Sequence, residues 1–294
     1  MLKRVTFPGF DGVPIYVVLQ FIANEMQRFS IVVNAKAIAY SFFLAVFPGI
    51  IFLFTLIPYI PIEGLAADIN IFIQNIMPNQ GVYELIEPTI KDILIKPRGG
   101  LLSLGIISAL YFTSNGVISM IHSFDDSLGN KNRRSALLNQ LIALMITIEL
   151  ISLLIFSIII LVIGSKLIDG FMLYFGIKND FTLFFLHSLQ YIISILVFFF
   201  SIAVIYFFGP SSKAIQFKFI STGATVATIL ILIVAIMFSK FVTNFNNYNK
   251  IYGSLGTIVF TMIWFYWNAF ALLVGFEINK SIYYGKQKTK EINS

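Results

Sequence analysis

Six long apolar stretches occupy most of this chain and decide what it can fold into. They lie at roughly 36–61, 99–121, 136–164, 181–208, 214–242 and 253–284. A helix needs about 20 mostly apolar residues to cross the hydrocarbon core of a bilayer, and each stretch reaches that length. Because lipid offers no hydrogen bonds to the backbone, such stretches are predicted to be helices. We therefore predict an all-α polytopic membrane protein with six transmembrane helices.

The composition indicates a single membrane domain over residues 1–294. The chain is 58% hydrophobic and 12% charged, whereas an ordinary soluble domain carries about 25% charged residues. The six stretches and their connections leave no length for a soluble domain. The chain has no Cys, which excludes disulfides, thiolate nucleophiles and Cys-based metal sites.

The positive charge of the chain indicates orientation rather than nucleic-acid binding. The net charge is +6, and about two thirds of the 20 Lys and Arg residues lie on the side of the N-terminus. This is the positive-inside bias, and it predicts that both termini lie in the cytoplasm. Anionic membrane lipids are the partners expected for these residues, and no nucleic-acid partner is expected.

Two regions outside the six stretches have amphipathic patterns. Residues 15–33 carry apolar side chains at helical spacing, which predicts a helix in the cytoplasmic interface. Residues 62–98 resemble two amphipathic helices broken at 78–81. This extracytoplasmic pair caps the mouth of the bundle or forms a passive interfacial loop, and the pattern favours neither.

Polar and small side chains recur at three- and four-residue steps in spans two, five and six. They are Gly105, Ser108, Phe112, Asn115, Ser119 and His122, then Ser221, Thr225 and Thr228, and then Ser254, Thr257, Thr261, Trp264, Asn268, Ala271 and Gly275. Such residues hold helices together in lipid, so these stripes are predicted to face neighbouring helices or a cavity. Gly223 and Ala227 add a small-xxx-small pair. Among these residues, Asn115 and Asn268 are the strongest indication of an inward-facing polar site, because a buried amide needs several hydrogen-bond partners.

Two carboxylates and one proline complete the candidates within the spans. Glu149 lies in the third span, where a charge costs a few kcal/mol or more, so it is a candidate ion or proton site or a protonated packing group. Glu277 lies one turn before Lys280, which favours a helix-end ion pair. Pro48 precedes Gly49 inside the first span, and this pair loosens a helix, as at the binding sites of transporters.

Catalytic and metal-binding patterns are weak. By the predicted topology, His122 and His187 lie on opposite sides of the membrane, so they cannot form an acid–base pair. Asp125 and Asp126 offer carboxylates for a divalent ion, but a neighbouring pair in a loop with Lys131 and Arg133 is more typical of solvated charge. The sequence contains no phosphate-binding loop. We predict no catalytic residue, no metal site and no cofactor, so the protein is not expected to be an enzyme.

Three motifs resemble the YihY/BrkB family of bacterial inner-membrane proteins. They are Ala37-Ile38-Ala39-Tyr40 with Phe47-Pro48, then Gly100-Leu101-Leu102-Ser103-Leu104-Gly105 with Ser114-Asn115-Gly116 and Arg133-Arg134, and then Tyr252-Gly253-Ser254-Leu255-Gly256 with Trp264-Phe265-Tyr266 and Gly275-Phe276-Glu277-Ile278-Asn279. The resemblance covers roughly 28–284. Ser41 replaces a second Tyr of the family pattern, and Phe276 replaces an Ala beside the carboxylate.

This resemblance implies six helices, a location in the bacterial inner membrane and an activity that is not settled for the family. It adds motif residues to the candidate polar, substrate or ion site, which then comprises Tyr40, Pro48, Asn115, Glu149, Asn268, Glu277 and Asn279. Members of the family have been described as transporters and virulence factors. An older label as a ribonuclease has no support in this sequence.

Three functions follow as hypotheses. The first is a transporter, an exporter or a lipid-moving protein, with an unknown small solute or a lipid as its substrate. The second is a non-catalytic scaffold of an envelope complex, in which the polar stripes only pack helices. The third is a membrane-embedded hydrolase, which needs a nucleophile and a base at one depth. The sequence leaves open whether the protein forms a homo-oligomer or binds an envelope partner.

Overall fold

The described part of the chain is built from helices. In this computed structural model the described residues are 13–14, 16, 18, 20, 31–60, 67, 69–71, 74, 80–129, 134–174, 180–211, 218–243 and 246–293. Its longer helices are α1 Ile31–Leu56, α2 Gln80–Ile95, α3 Gly99–Ser127, α4 Ala136–Tyr174, α5 Asp180–Phe208, α6 Thr222–Thr243 and α7 Asn246–Asn293, and a 3-10 turn, Ile57–Tyr59, follows α1.

Six of these helices, α1 and α3 to α7, are long and apolar enough to cross a membrane. Within the described ranges this confirms the prediction of an all-α polytopic membrane protein. Five helices have at least one bound that differs from its apolar stretch by five residues or more. Helix α1 begins at Ile31, five residues before the predicted span, and α3 continues to Ser127, six residues beyond its predicted end. Helix α4 ends at Tyr174, ten residues beyond the predicted 164, α6 begins at Thr222, eight residues after 214, and α7 extends beyond both predicted limits, 253 and 284.

The regions between the spans are described in part. Helix α2 begins at Gln80, within the predicted break at 78–81, and its Lys91 Nζ lies 2.7 Å from Glu87 Oε1. Most of the predicted interfacial helix over 15–33 and of the first amphipathic helix lies outside the described residues. Residues 31–33 belong to α1.

Contacts divide the chain into two compact units. The unit Ser41–Thr113 contains most of α1, all of α2 and the start of α3. Inside it, α1 and α3 pack closely at Gly105, where an added Cβ would lie 2.9 Å from the backbone nitrogen of Phe52. A larger residue would force these two backbones apart, so glycine is required at this position by the packing.

The other unit, Met1–Tyr40 with Ser114–Ser294, contains α4 to α7. Helices α6 and α7 meet at small residues: a Cβ added to Gly275 would lie 2.6 Å from the Gly223 carbonyl oxygen and 2.7 Å from Ala227 Cβ. This confirms the small-xxx-small pair as a packing motif. Farther along, the Phe241 and Phe260 rings stack at 3.9 Å. The two helices are therefore joined by close backbone approach and by aromatic stacking.

Helices α4 and α5 are joined by a polar contact between spans. Gln190 Nε2 donates a hydrogen bond to the carbonyl oxygen of Ile160 at 2.8 Å, and the Gln190 side chain is buried. An added Cβ at Gly164 would lie 3.4 Å from the same nitrogen. A larger side chain at 164 would therefore meet the amide in ordinary van der Waals contact, and the hydrogen bond of Gln190 joins the two helices.

Candidate functional site

The Glu149 carboxylate lies within Ala136–Ser157, the membrane-crossing part of α4. Its side chain is half-buried, while both carboxylate oxygens are fully buried and have no hydrogen-bond partner among the described residues. A charged carboxylate in the centre of a span costs about 2.5–3.5 kcal/mol, even after the bilayer adjusts. The side chain therefore requires a proton, a cation or a polar group that the described protein does not supply.

A second group of polar side chains lies at the end of the unit where α3 and α5 end and where α4 and α6 begin. We call it the polar end cluster. Its members are Asp125, Ser127, Arg134, Ser211, Ser221, Glu277, Asn279 and Lys280. Three sets of contacts hold it together, and each joins segments that are far apart in the sequence.

The first set is a buried ion pair. Lys280 Nζ lies 3.3 Å from Glu277 Oε2 and donates to Ser127 Oγ at 3.1 Å, while Ser127 Oγ donates to the other Glu277 oxygen. Both charged side chains are 3% exposed. A buried charge is tolerated when it is paired and hydrogen-bonded. The sequence predicted the Glu277–Lys280 pair from its spacing, and the structure adds the hydroxyl from α3.

The second set fixes the start of α6 to α7 through Asn279. Its Oδ1 accepts a hydrogen bond from the Gly223 backbone N–H at 2.7 Å, and its Nδ2 donates to Ser221 Oγ at 2.8 Å. The first N–H groups of a helix lack partners within that helix. Asn279 supplies one of these partners across the interface.

The third set holds the end of α5. Arg134 donates to the carbonyl oxygens of Phe208 at 3.1 Å, Gly209 at 3.2 Å and Pro210 at 2.6 Å, and Asp125 Oδ1 accepts from the Ser211 backbone N–H at 2.7 Å. The last carbonyls of a helix need such donors. Burial lowers the pKa of the Arg134 guanidinium, and the attraction of Asp125 opposes that shift.

An aromatic cluster lies beside these polar contacts. The Phe124 and Phe276 rings stack at 4.0 Å, and Tyr206 donates from its hydroxyl to the Leu272 carbonyl oxygen at 2.5 Å. All three rings are buried. Phe276, which replaces the Ala of the family pattern, therefore fills space between α3 and α7 next to Glu277.

The structure brings two of the seven predicted site residues into this cluster, Glu277 and Asn279. The other five lie elsewhere. Tyr40 is 55% exposed, and Pro48 lies inside α1 in the other unit. Asn115 is half-buried in α3, and Asn268 Nδ2 donates to the Trp264 carbonyl oxygen of its own helix. Glu149 makes no hydrogen bond to the cluster.

Two interpretations of the sequence were wrong. Asp125 is fully buried, whereas the pattern indicated solvated charge, because α3 continues past 121 and carries Asp125 into the packed end. Asp126 is exposed as expected. Thr225 is also exposed, although it belongs to the inward stripe of span five, and its hydroxyl donates to the carbonyl of Ser221.

Three members of the cluster, Ser127, Arg134 and Ser211, were not among the candidates predicted from the sequence. Ser221 was predicted only as part of the inward stripe of span five. The sequence did contain a signal for Arg134, because the Arg133-Arg134 motif is part of the family pattern. Ser127 and Ser211 gave no signal, because a single Ser near a helix end is common in any connection.

The helices and the buried cluster define a multi-pass membrane protein. Comparison with known proteins agrees: the virulence factor BrkB family model matches residues 22–294, so the chain belongs to that family. A ribonuclease-like protein, YfkH, of Bacillus subtilis (strain 168) is 31% identical over 258 residues, which cover 88% of this chain and 92% of that protein.

Two further relatives carry names that state only a membrane location. UPF0761 membrane protein MS0032 of Mannheimia succiniciproducens is 23% identical over 86% of this chain and 85% of its own length. UPF0761 membrane protein IL2447 of Idiomarina loihiensis is 30% identical over 24% of this chain and 25% of its own. No solved structure matches the chain. The resemblance seen in the motifs is therefore confirmed, and the activity of the family is unsettled.

Proposed function

We propose that this protein is a transporter that moves a small solute or a lipid across the bilayer, with Glu149 binding the cargo or a coupling ion. The observation that supports this is the Glu149 carboxylate, whose two buried oxygens have no partner among the described residues. Polar residues inside a span are costly and mark substrate or ion pathways. A transporter needs a polar group that binds and releases its partner in each cycle, and Glu149 fits that requirement.

The backbone of α1 gives a second reason. Helix α1 continues through Pro48, which has no N–H to offer the carbonyl of Leu44. Next to it, Gly49 has open space around its Cα, with no atom within 4 Å of an added Cβ. A free carbonyl beside a flexible residue is the kind of interruption that transporters use to bind cargo.

In this proposal the protein lies in the bacterial cytoplasmic membrane with both termini in the cytoplasm, as the positive-inside bias indicates. We do not transfer the ribonuclease name of YfkH to this chain. His122 lies near the end of α3 that meets the polar end cluster, while His187 lies seven residues after the start of α5. His122 is five residues and His187 is 21 residues from the helix ends that meet the cluster, so at 1.5 Å per residue they are separated by roughly 24 Å along the helix axis.

A scaffold of an envelope complex is the second candidate, and one observation favours it. The small residues of α6 and α7 are used for direct helix contact at Gly223 and Gly275. Polar and small stripes that only pack helices are what a scaffold requires. A scaffold leaves the Glu149 carboxylate unused, which is why we place transport first.

Native mass spectrometry with lipidomics on the purified protein tests the proposal. We expect a specific lipid or envelope precursor to be enriched in the wild type and lost in an Asn115→Leu/Glu149→Gln double variant. Bulk lipid alone in both samples contradicts a lipid-sized site. Small-solute flux in proteoliposomes then decides between transport and the scaffold.

A further inference from the structure

Two buried oxygen atoms in the polar end cluster have no assigned role. They are Asp125 Oδ2 and Ser211 Oγ, which lie on side chains that are 0% and 6% exposed. Neither atom has a hydrogen-bond partner among the described residues. Both residues lie apart from Glu149, so this observation is independent of the proposed transport.

The two residues are in direct contact. Asp125 Oδ1 accepts the Ser211 backbone N–H at 2.7 Å. Oγ of Ser211 is three covalent bonds from that nitrogen, and Oδ2 of Asp125 is bonded to the same carbon as Oδ1. Both unpartnered oxygens are therefore carried by groups that share one hydrogen bond.

The chemistry of the two atoms selects the ligand. An ionised carboxylate only accepts hydrogen bonds, and leaving a buried charged group unsatisfied costs more than leaving a neutral one. Arg134 is attracted to Asp125, but its guanidinium donates to the three carbonyl oxygens at the end of α5. One carboxylate oxygen and one hydroxyl oxygen are hard donors, which suit a hard cation.

We propose that Asp125 and Ser211 bind one small monovalent cation, Na⁺ or K⁺, between the end of α3 and the connection that follows α5. A single carboxylate with a guanidinium close by leaves too little negative charge for a divalent ion. The bound cation satisfies both oxygens, and it fastens α3 to the residues that Arg134 already holds.

The test uses the purified full-length chain in detergent. Thermal unfolding is followed by the fluorescence of the two Trp residues while NaCl or KCl replaces choline chloride at constant ionic strength. A ligand that binds only the folded state stabilises it in proportion to the logarithm of its concentration once the site is occupied. We expect one of the two alkali ions to raise the Tm by about 2–4 °C in the wild type.

Three variants make the result specific. The rise in Tm should disappear in Asp125→Asn and in Ser211→Ala, and it should persist in Asp126→Asn, which removes the exposed neighbouring charge. If Asp125→Asn does not fold, Ser211→Ala decides, because it keeps the backbone N–H and loses only the hydroxyl. Equal Tm values in Na⁺, K⁺ and choline for the wild type overturn the proposal, since the oxygens then hold only water. An alkali-ion effect that persists in Ser211→Ala also overturns it.

Discussion

Lys280 Nζ lies 3.3 Å from Glu277 Oε2, and both side chains are 3% exposed. The pair is completed by Ser127, which contacts both charged groups and belongs to a different helix. In an ion pair with so little access to water, each buried charge is tolerated because the other charge compensates it. This relationship makes the polar end cluster the part of the chain where single substitutions should have the largest effect on stability.

Replacement of Glu277 by Ala should lower the free energy of unfolding by about 3–5 kcal/mol, because Lys280 is left buried without its counter-charge. The measurement is denaturant unfolding of the purified protein in mixed micelles. The matched control is Glu87→Ala, which breaks the exposed Glu87–Lys91 pair of α2 and should cost about 0–1 kcal/mol.

A double variant, Glu277→Gln/Lys280→Met, should lose less stability than the sum of its two single variants, because no uncompensated charge remains. Additive losses, or equal losses for Glu277→Ala and Glu87→Ala, would contradict a coupled buried pair.

Gly275→Ala should destabilise the contact between α6 and α7 by about 1–3 kcal/mol, because its new methyl group meets the Gly223 carbonyl and Ala227. Gly170 in α4 provides the control, since it has no atom within 4 Å of an added Cβ. There the same change should be neutral or stabilising by about 0.5–1 kcal/mol, as for any exposed helix position. Comparison of the two melting temperatures checks this, and similar shifts would exclude a close helix contact at Gly275.

Asn279→Ala should cost more stability than Asn268→Ala. The first removes the partner of the Gly223 N–H and of the Ser221 hydroxyl, which lie at the start of α6 and just before it. Among the described residues, Asn268 donates to a carbonyl of its own helix. A buried donor left without a partner costs about 1–3 kcal/mol. Unfolding curves of both variants, recorded side by side, measure the difference. If Asn268→Ala is the more harmful change, the cluster does not anchor α6.

The spans were predictable from the sequence because membrane helices carry their signal locally. Each needs about 20 apolar residues whatever its neighbours are, and the predicted limits 181–208 fall within one residue of helix α5, Asp180–Phe208. The end of α3 was missed because its last turns are polar. Residues 122–127 are too polar for a hydropathy criterion, yet Ser123, Phe124 and Asp125 are buried inside the protein.

The candidate site was predictable only where partners are close in sequence. The Glu277–Lys280 pair follows from its three-residue spacing. The contacts of Ser127 with Glu277 and of Ser221 with Asn279 join residues that are 150 and 58 positions apart. A helical pattern indicates which face is polar, but it does not indicate which other helix that face meets. For the same reason, Asp125 was interpreted from its charged sequence neighbours and not from its spatial ones.

Glu149→Gln should leave folding intact. The carboxylate has no hydrogen bond in the described structure that the amide would break, and removing a charge from a span does not add to its insertion cost. Its unfolding free energy should stay within about 0.5 kcal/mol of the wild type or rise. Thermal unfolding in detergent tests this, and a large loss would mean that Glu149 has a structural role instead.

Transport in proteoliposomes is the measurement that decides whether Glu149 moves a cargo or an ion across the bilayer. Wild type, Glu149→Gln and the exposed control Glu84→Gln are reconstituted at equal density, and two movements are recorded: proton flux with a trapped pH dye, and flipping of a fluorescent phospholipid. The account predicts at least one movement above protein-free vesicles for the wild type and for Glu84→Gln, and none for Glu149→Gln. Movement by Glu149→Gln at the wild-type rate would contradict it.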